Sequence, residues 1–176
     1  MTLKKSVMLL LLTLPLFSRA DDFLNIQTDP FMIVGSQYVD LAVDMKLNSH
    51  WAVGPYARSA TDQPLYDVGI RATYFEQQTY QPGWVTGFEV GYSQDVYDGR
   101  YYDSDKGSYC LWDIDQEQCG LDAQGALRTR IDHGYFWRWK TFNVSFGLGA
   151  ALLFKVDDPA DVALLPAIHF AIGWVR

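Results

Sequence analysis

Tyr38-Val39-Asp40-Leu41-Ala42-Val43-Asp44-Met45-Lys46-Leu47 is the stretch that decides the fold. Val39, Leu41, Val43, Met45 and Leu47 take every second position, with Tyr38, Asp40, Ala42, Asp44 and Lys46 between them. Successive side chains of a strand point to opposite faces. The stretch is therefore a strand with one wholly apolar face and one face carrying three charges.

The same alternation returns along the chain. It sets Tyr66, Val68, Ile70, Ala72 and Tyr74 against Asp67, Gly69, Arg71 and Thr73. Trp84, Thr86, Phe88, Val90 and Tyr92 alternate with Val85, Gly87, Glu89, Gly91 and Ser93. Leu127 to Tyr135 interleaves Arg128, Arg130, Asp132 and Gly134, and Phe142 to Leu152 interleaves Asn143, Ser145, Gly147 and Gly149. Ile168, Phe170, Ile172 and Trp174 form the last apolar row. Residues 22–29 and 51–58 complete a set of eight strands, the second interrupted by Pro55, which removes a ladder hydrogen bond.

The connections alternate in length. Residues 48–50, 78–83 and 138–140 are short, while those near 30–35, 59–65, 95–123 and 155–162 are generally longer. Short turns on one side and long loops on the other are the habit of outer-membrane barrels, whose strand number is even. Trp51, Trp84, Trp137, Trp139 and Trp174 all fall at strand ends on the short-turn side. Indole prefers the membrane interface, where its ring is buried and its N–H stays wet. These features together predict an all-β chain, an eight-stranded antiparallel up-and-down transmembrane β-barrel in the outer membrane, with both termini in the periplasm.

The N-terminus reads as an export signal. Lys4 and Lys5 precede the apolar run Val7 to Phe17, and Ser18-Arg19-Ala20 offers small residues for cleavage before Asp21. Residues 1–20 are thus expected to be a signal peptide and 21–176 the barrel domain. Cleavage removes three cations and no acid, taking the formal charge from −7 to −10. Such a balance excludes nucleic acid as a partner, because phosphates demand a basic surface. The partners to expect are outer-membrane lipids, lipopolysaccharide and, during biogenesis, the barrel-assembly machinery.

The face opposite the apolar one should fill the barrel. It carries Asp40, Asp44, Asp67, Glu89 and Asp132 against Lys46, Arg58, Arg71, Arg128 and Arg130. His169 joins them on the last strand. Eight strands enclose only enough room for their own side chains. Eight glycines on this face are expected to make room for arginines lying across the interior, giving a closed, salt-bridged lumen. A gated ion path is the functional alternative.

Residues 95–123 form the longest loop, with eight acids against Arg100 and Lys106. Cys110 and Cys119 are the only cysteines, and export through an oxidising compartment makes a disulfide the default. Closing so short a loop should stabilise it by roughly 2–3 kcal/mol. Asp103-Ser104-Asp105-Lys106-Gly107 faintly echoes a calcium loop but lacks the third acid and the distal glutamate, so Asp103 and Asp105 are weak metal candidates. No cofactor is expected. Divalent ions bridging these acids to lipopolysaccharide phosphates, or a recognition surface built on the loop tyrosines, are the other readings.

Histidine is the usual general base. His50 falls in a short turn, His133 faces outward, and only His169 points inward. In strand number, loop order and the closing aromatic strand, the chain resembles the small outer-membrane barrels of the OmpX/OmpW-like and PagL-like class. Asn25-Ile26-Gln27-Thr28-Asp29-Pro30 and Trp51-Ala52-Val53-Gly54-Pro55-Tyr56 look like recurrent segments of uncharacterised members. In the lipid A deacylases of that class a His-x-Ser pair on a late strand carries the chemistry. Here His169-Phe170-Ala171 has alanine at the nucleophile's place. No His/Ser/Asp set marks a palmitoyl transferase, and the chain ends Trp174-Val175-Arg176 rather than on an aromatic residue. Three functions stay open: a non-enzymatic barrel for envelope stability or surface contact, a transport barrel for small hydrophobic or ionic solutes, and a lipid-modifying enzyme.

Overall fold

A computed structural model describes residues 22–31, 38–61, 65–95, 100–103, 105, 108–111, 118–121, 124–156 and 162–176. The segment 1–20 and much of the loop 95–123 lie outside the described residues. The strands are β1 (Leu24–Thr28), β2 (Tyr38–Lys46), β3 (Trp51–Ala60), β4 (Tyr66–Phe75), β5 (Gly83–Asp95), β6 (Arg100–Asp103), β7 (Ser108–Leu111), β8 (Gln118–Leu121), β9 (Gln124–Trp139), β10 (Phe142–Lys155) and β11 (Val162–Val175). Eight of them close an antiparallel barrel in the order β1-β11-β10-β9-β5-β4-β3-β2. It is an up-and-down barrel in which each wall strand pairs with its sequence neighbour and β1 meets β11.

All eight expected strands are present, and the differences are in length. β9 runs four residues past Tyr135 to Trp139, and β11 starts at Val162 rather than Ile168. Both extensions continue the inward–outward alternation, so no side chain changes face. Pro166 lies inside β11. Pro55 is also within a strand. The β2–β3 register holds on either side of it, from Ala42↔Tyr56 to Met45↔Val53, but the ladder lapses between. The missing proline N–H accounts for the lapse. β6, β7 and β8 form a separate three-stranded sheet in the long loop, which alternation did not reveal.

The alternation sorts the side chains inside out. Outward-facing Ile70, Val90, Leu148 and Ile168 are between 58% and 67% exposed. Inward-facing Asp44, Arg71, Glu89 and Asn143 are buried, none above 5% exposed.

Near the short turns the lumen has an apolar floor of Ala52, Phe75, Tyr80, Val85, Phe136 and Val175. Tyr80 belongs to the β4–β5 turn and folds back into the barrel mouth. Its φ is 65°, a left-handed value uncommon for a residue with a Cβ. The turn is held by Thr79, whose N–H donates to Ser49 O at 2.7 Å and whose Oγ1 donates to Asn48 O at 2.7 Å. Tyr80 Oη donates to Asp44 O at 2.8 Å, and Phe75 packs edge-on against both Tyr80 and Phe136. Burial, with the nearby Asp44 charge, holds the Tyr80 phenol above its ordinary range, which keeps the proton that this bond needs.

Both ends of the described chain meet here. Arg176 N donates to Leu24 O at 2.7 Å and Arg176 O accepts from Leu24 N at 2.7 Å. The two residues after Trp174 therefore extend the closing ladder, and Val175 is fully buried in the floor. Arg138 clasps Asp22 through two bonds of 2.6 and 2.7 Å.

Candidate functional site

The buried charges are the one concentration of chemistry among the described residues. Their placement follows from parity: β2, β3 and β9 point even-numbered residues inward, while β4, β5, β10 and β11 point odd-numbered ones. Arg58 is the hub. Its Nη1 donates to Asp67 Oδ2 at 2.9 Å, its Nη2 donates to both Glu89 oxygens at 3.0 Å, and its Nε lies 3.4 Å from Asp40 Oδ1. The guanidinium carbon sits 4.6 Å from the centre of the Tyr56 ring, whose hydroxyl donates to Asp67 Oδ1 at 3.1 Å. Arg128 pairs with the same Asp67 oxygen that Arg58 uses. Arg130 Nη1 approaches Glu89 Oε2 at 3.7 Å, and its Nε lies 3.1 Å from Asp132 Oδ2.

A second group lies nearer the floor. Arg71 donates through Nε to Asp44 Oδ1 at 3.2 Å and through Nη2 to Asp44 Oδ2 and to Gln27. Gln27 Nε2 donates to Asn143 Oδ1 at 3.2 Å, and Asn143 Nδ2 donates to Asn25 Oδ1 at 2.8 Å. Asn25, Gln27, Tyr56 and Asn143 thus belong to the network although their charge-free side chains gave no signal in the sequence.

Four arginines and five carboxylates are therefore held against one another. Lys46, half-buried at the end of β2, takes no part in these pairs among the described residues. In a low-dielectric interior each charge needs a partner, and sharing Asp67 and Glu89 between arginines supplies it. Two positions of the glycine row lie against buried side chains of the network: a Cβ on Gly91 would stand 2.4 Å from Tyr56 Oη, and one on Gly87 would stand 2.9 Å from Asp132 Oδ1. Glycine at these two positions makes room for Tyr56 and Asp132.

His169 faces inward and its Nε2 is 2.8 Å from Ser145 Oγ on the neighbouring strand. Ala171, two residues on, is buried at 1% exposure. Ser145 was missed in the sequence because it lies on another strand. Only the pairing of Ser145 with Ala171 brings it beside His169. The cavity that Ser145 lines measures about 20 Å³, room for a single water. His50 Nδ1 lies 3.0 Å from Phe75 O in its turn. His133 faces outward, 3.0 Å from Thr86 Oγ1 and stacked on Trp84.

The five tryptophans ring one end of the barrel. Trp51 pairs across strands with Tyr74, Trp84 with Tyr135, and Phe142 with both Trp139 and Trp174. Ring centres of Tyr135 and Trp137 lie 4.8 Å apart, and those of Trp51 and Tyr74 lie 5.2 Å apart.

In the long loop the backbone register sets Cys110 opposite Cys119, beside an irregularity at Tyr109 and Cys110. Their side chains, and that of Asp103, lie outside the described residues. Asp105 is exposed in a turn, and no group of three or more metal-ligating side chains converges among the described residues. No protein-family model, no curated protein and no solved structure matches this chain.

Proposed function

We propose that the chain is an integral outer-membrane barrel with a closed lumen, serving envelope stability or surface contact rather than catalysis. The inside-out distribution carries this reading. Apolar residues such as Ile70, Val90, Leu148 and Ile168 form the outer wall, while buried charges fill the interior. A monomer in water rarely exposes a contiguous apolar patch beyond a few hundred Å², whereas lipid requires such a belt. The tryptophan ring then lies at the membrane interface. The short-turn end faces the periplasm, consistent with an exported chain cleaved before Asp21 and with the OmpX/OmpW/PagL-like resemblance. The acidic long loop faces the outside, where it meets lipopolysaccharide.

The dense pairing of four arginines with five carboxylates across the interior favours a closed lumen over transport. Purified barrel is expected to run faster on a gel unheated than boiled, and to give no steps in planar bilayers. Steady single-channel steps would establish the transport reading instead. Absence of a heat shift, with solubility free of detergent, would remove the membrane reading. An altered lipid A mass spectrum in cells making the protein would establish the enzymatic one.

The cross-strand placement of Cys110 and Cys119 supports a disulfide that staples β7 to β8. Periplasmically exported protein should then take up a thiol reagent only after reduction. Labelling of both cysteines without reductant would show the staple absent.

A further inference from the structure

The β4–β5 turn is longer than the joining of two strands requires. Residues 76–82 link Phe75 to Gly83, where residues 140–141 suffice between β9 and β10. Its backbone is fixed at several points. Glu76 N–H donates to Trp84 O at 3.1 Å, and Gln81 N–H donates to Gln78 O at 2.8 Å. Thr79 and Tyr80 are buried, at 3% and 0% exposure. With these two residues anchored, Gln77, Gln78 and Gln81 are left exposed. Gly83 leaves space for the first of them, since a Cβ there would stand 2.9 Å from Gln77 Cγ.

The three glutamines line an open cavity of about 610 Å³ together with Trp84 and Tyr135. Trp84 is stacked on His133, with ring centres 5.2 Å apart, and stands edge-on to Tyr135 at 5.5 Å. These contacts hold the indole in place, yet it stays 50% exposed. No charged side chain among the described residues lines the cavity.

That lining selects among occupants. A phosphate or carboxylate placed here would lose water without gaining a counter-charge, which sets lipid headgroups and acidic polymers aside. An extended peptide docks by the free backbone groups of a strand edge, and β5 is paired with both β4 and β9 along this stretch. A neutral glycan fits. Each glutamine amide both donates and accepts, as the hydroxyl and acetamido groups of a sugar do. The C–H face of a pyranose ring packs on an aromatic ring. A turn already fixed in the free protein loses little freedom on binding.

We propose that this cavity binds an N-acetylhexosamine glycan, the backbone of the cell-wall polymer on the periplasmic side. The assignment to the cell wall rests on the membrane reading, which puts the short-turn end in the periplasm. Saturation-transfer NMR on the folded barrel in lipid nanodiscs would test it, with the N-acetylglucosamine trimer as probe. Magnetisation should pass chiefly to the acetamido methyl and ring C–H protons of the trimer. The glucose trimer, which lacks the acetamido groups, should bind about tenfold more weakly. Replacing Gln77 and Gln81 together by alanine, both on the surface, should weaken the N-acetylated trimer about tenfold. W84A should weaken it by about tenfold or more, in a chain that keeps the heat-shifted band. No transfer to the trimer, equal binding of the glucose trimer, binding unchanged in the double glutamine variant, or tighter binding of glycerol phosphate would overturn the proposal. Any of these in a heat-shifted, lipid-embedded barrel leaves the membrane reading standing. Trimer binding by a barrel soluble without detergent would overturn the cell-wall assignment and the membrane reading together.

Discussion

Replacing Glu89 with alanine should lower the unfolding free energy of the folded barrel by about 3–5 kcal/mol. Glu89 is 1% exposed and accepts two hydrogen bonds from Arg58 at 3.0 Å, with Arg130 at 3.7 Å. Without it, two buried guanidinium groups lose a shared counter-charge, and only Asp40, Asp67 and Asp132 remain to hold them. The penalty arises from stranded charge and not from the lost attraction alone, because burying an unpaired ion costs more than the pair gains. E89Q keeps the shape and one acceptor, so its loss should be smaller. Denaturant titration of tryptophan fluorescence in lipid vesicles would measure both. A loss below about 1 kcal/mol for E89A, the value for an exposed ion pair, would mean that water fills the lumen and screens the arginines.

The second large effect belongs to the other face. Val90 is 60% exposed, midway along β5 and opposite Ile70 on β4. In water an arginine there would change stability by no more than about 0.5 kcal/mol. In lipid, V90R should cost about 2–4 kcal/mol, as a charge held near the bilayer midplane does. Leu47, 69% exposed just beyond the end of β2, provides the contrast. L47R should cost about 0–1 kcal/mol, since a long side chain near the interface reaches water. Equal small losses at both positions would show that no lipid surrounds the wall.

The wall was legible in the sequence because a two-residue period is a local property. Val39 to Leu47 shows it without any knowledge of partners, and the same parity places every charged residue of the lumen correctly. Pairing was not legible. Arg58 on β3 reaches Glu89 on β5 across the intervening β4, a contact set by strand stagger and barrel curvature. Uncharged members of the network, such as Gln27 and Asn143, looked like any polar residues on an inward face. The floor was hidden for another reason. Tyr80 sits in a turn, where alternation says nothing, and its inward fold depends on a left-handed backbone and on Thr79 binding the β2–β3 turn. Pro166 gave no signal in the sequence, and it lies where β11 has no partner strand on one edge among the described residues, a place that tolerates proline. β6 to β8 are four residues each, too short for a period to stand out.

The central claim is that lipid, not water, covers the apolar wall of the barrel. Methyl-labelled protein in lipid nanodiscs would test it by nuclear Overhauser contacts. Methyl groups of Ile70, Val90, Ile131 and Leu148, between 49% and 61% exposed, should show contacts to acyl-chain protons. Those of Val85, Leu153 and Val175, buried on the inner face, should show none. Water contacts in place of acyl-chain contacts at the four outer residues would contradict it.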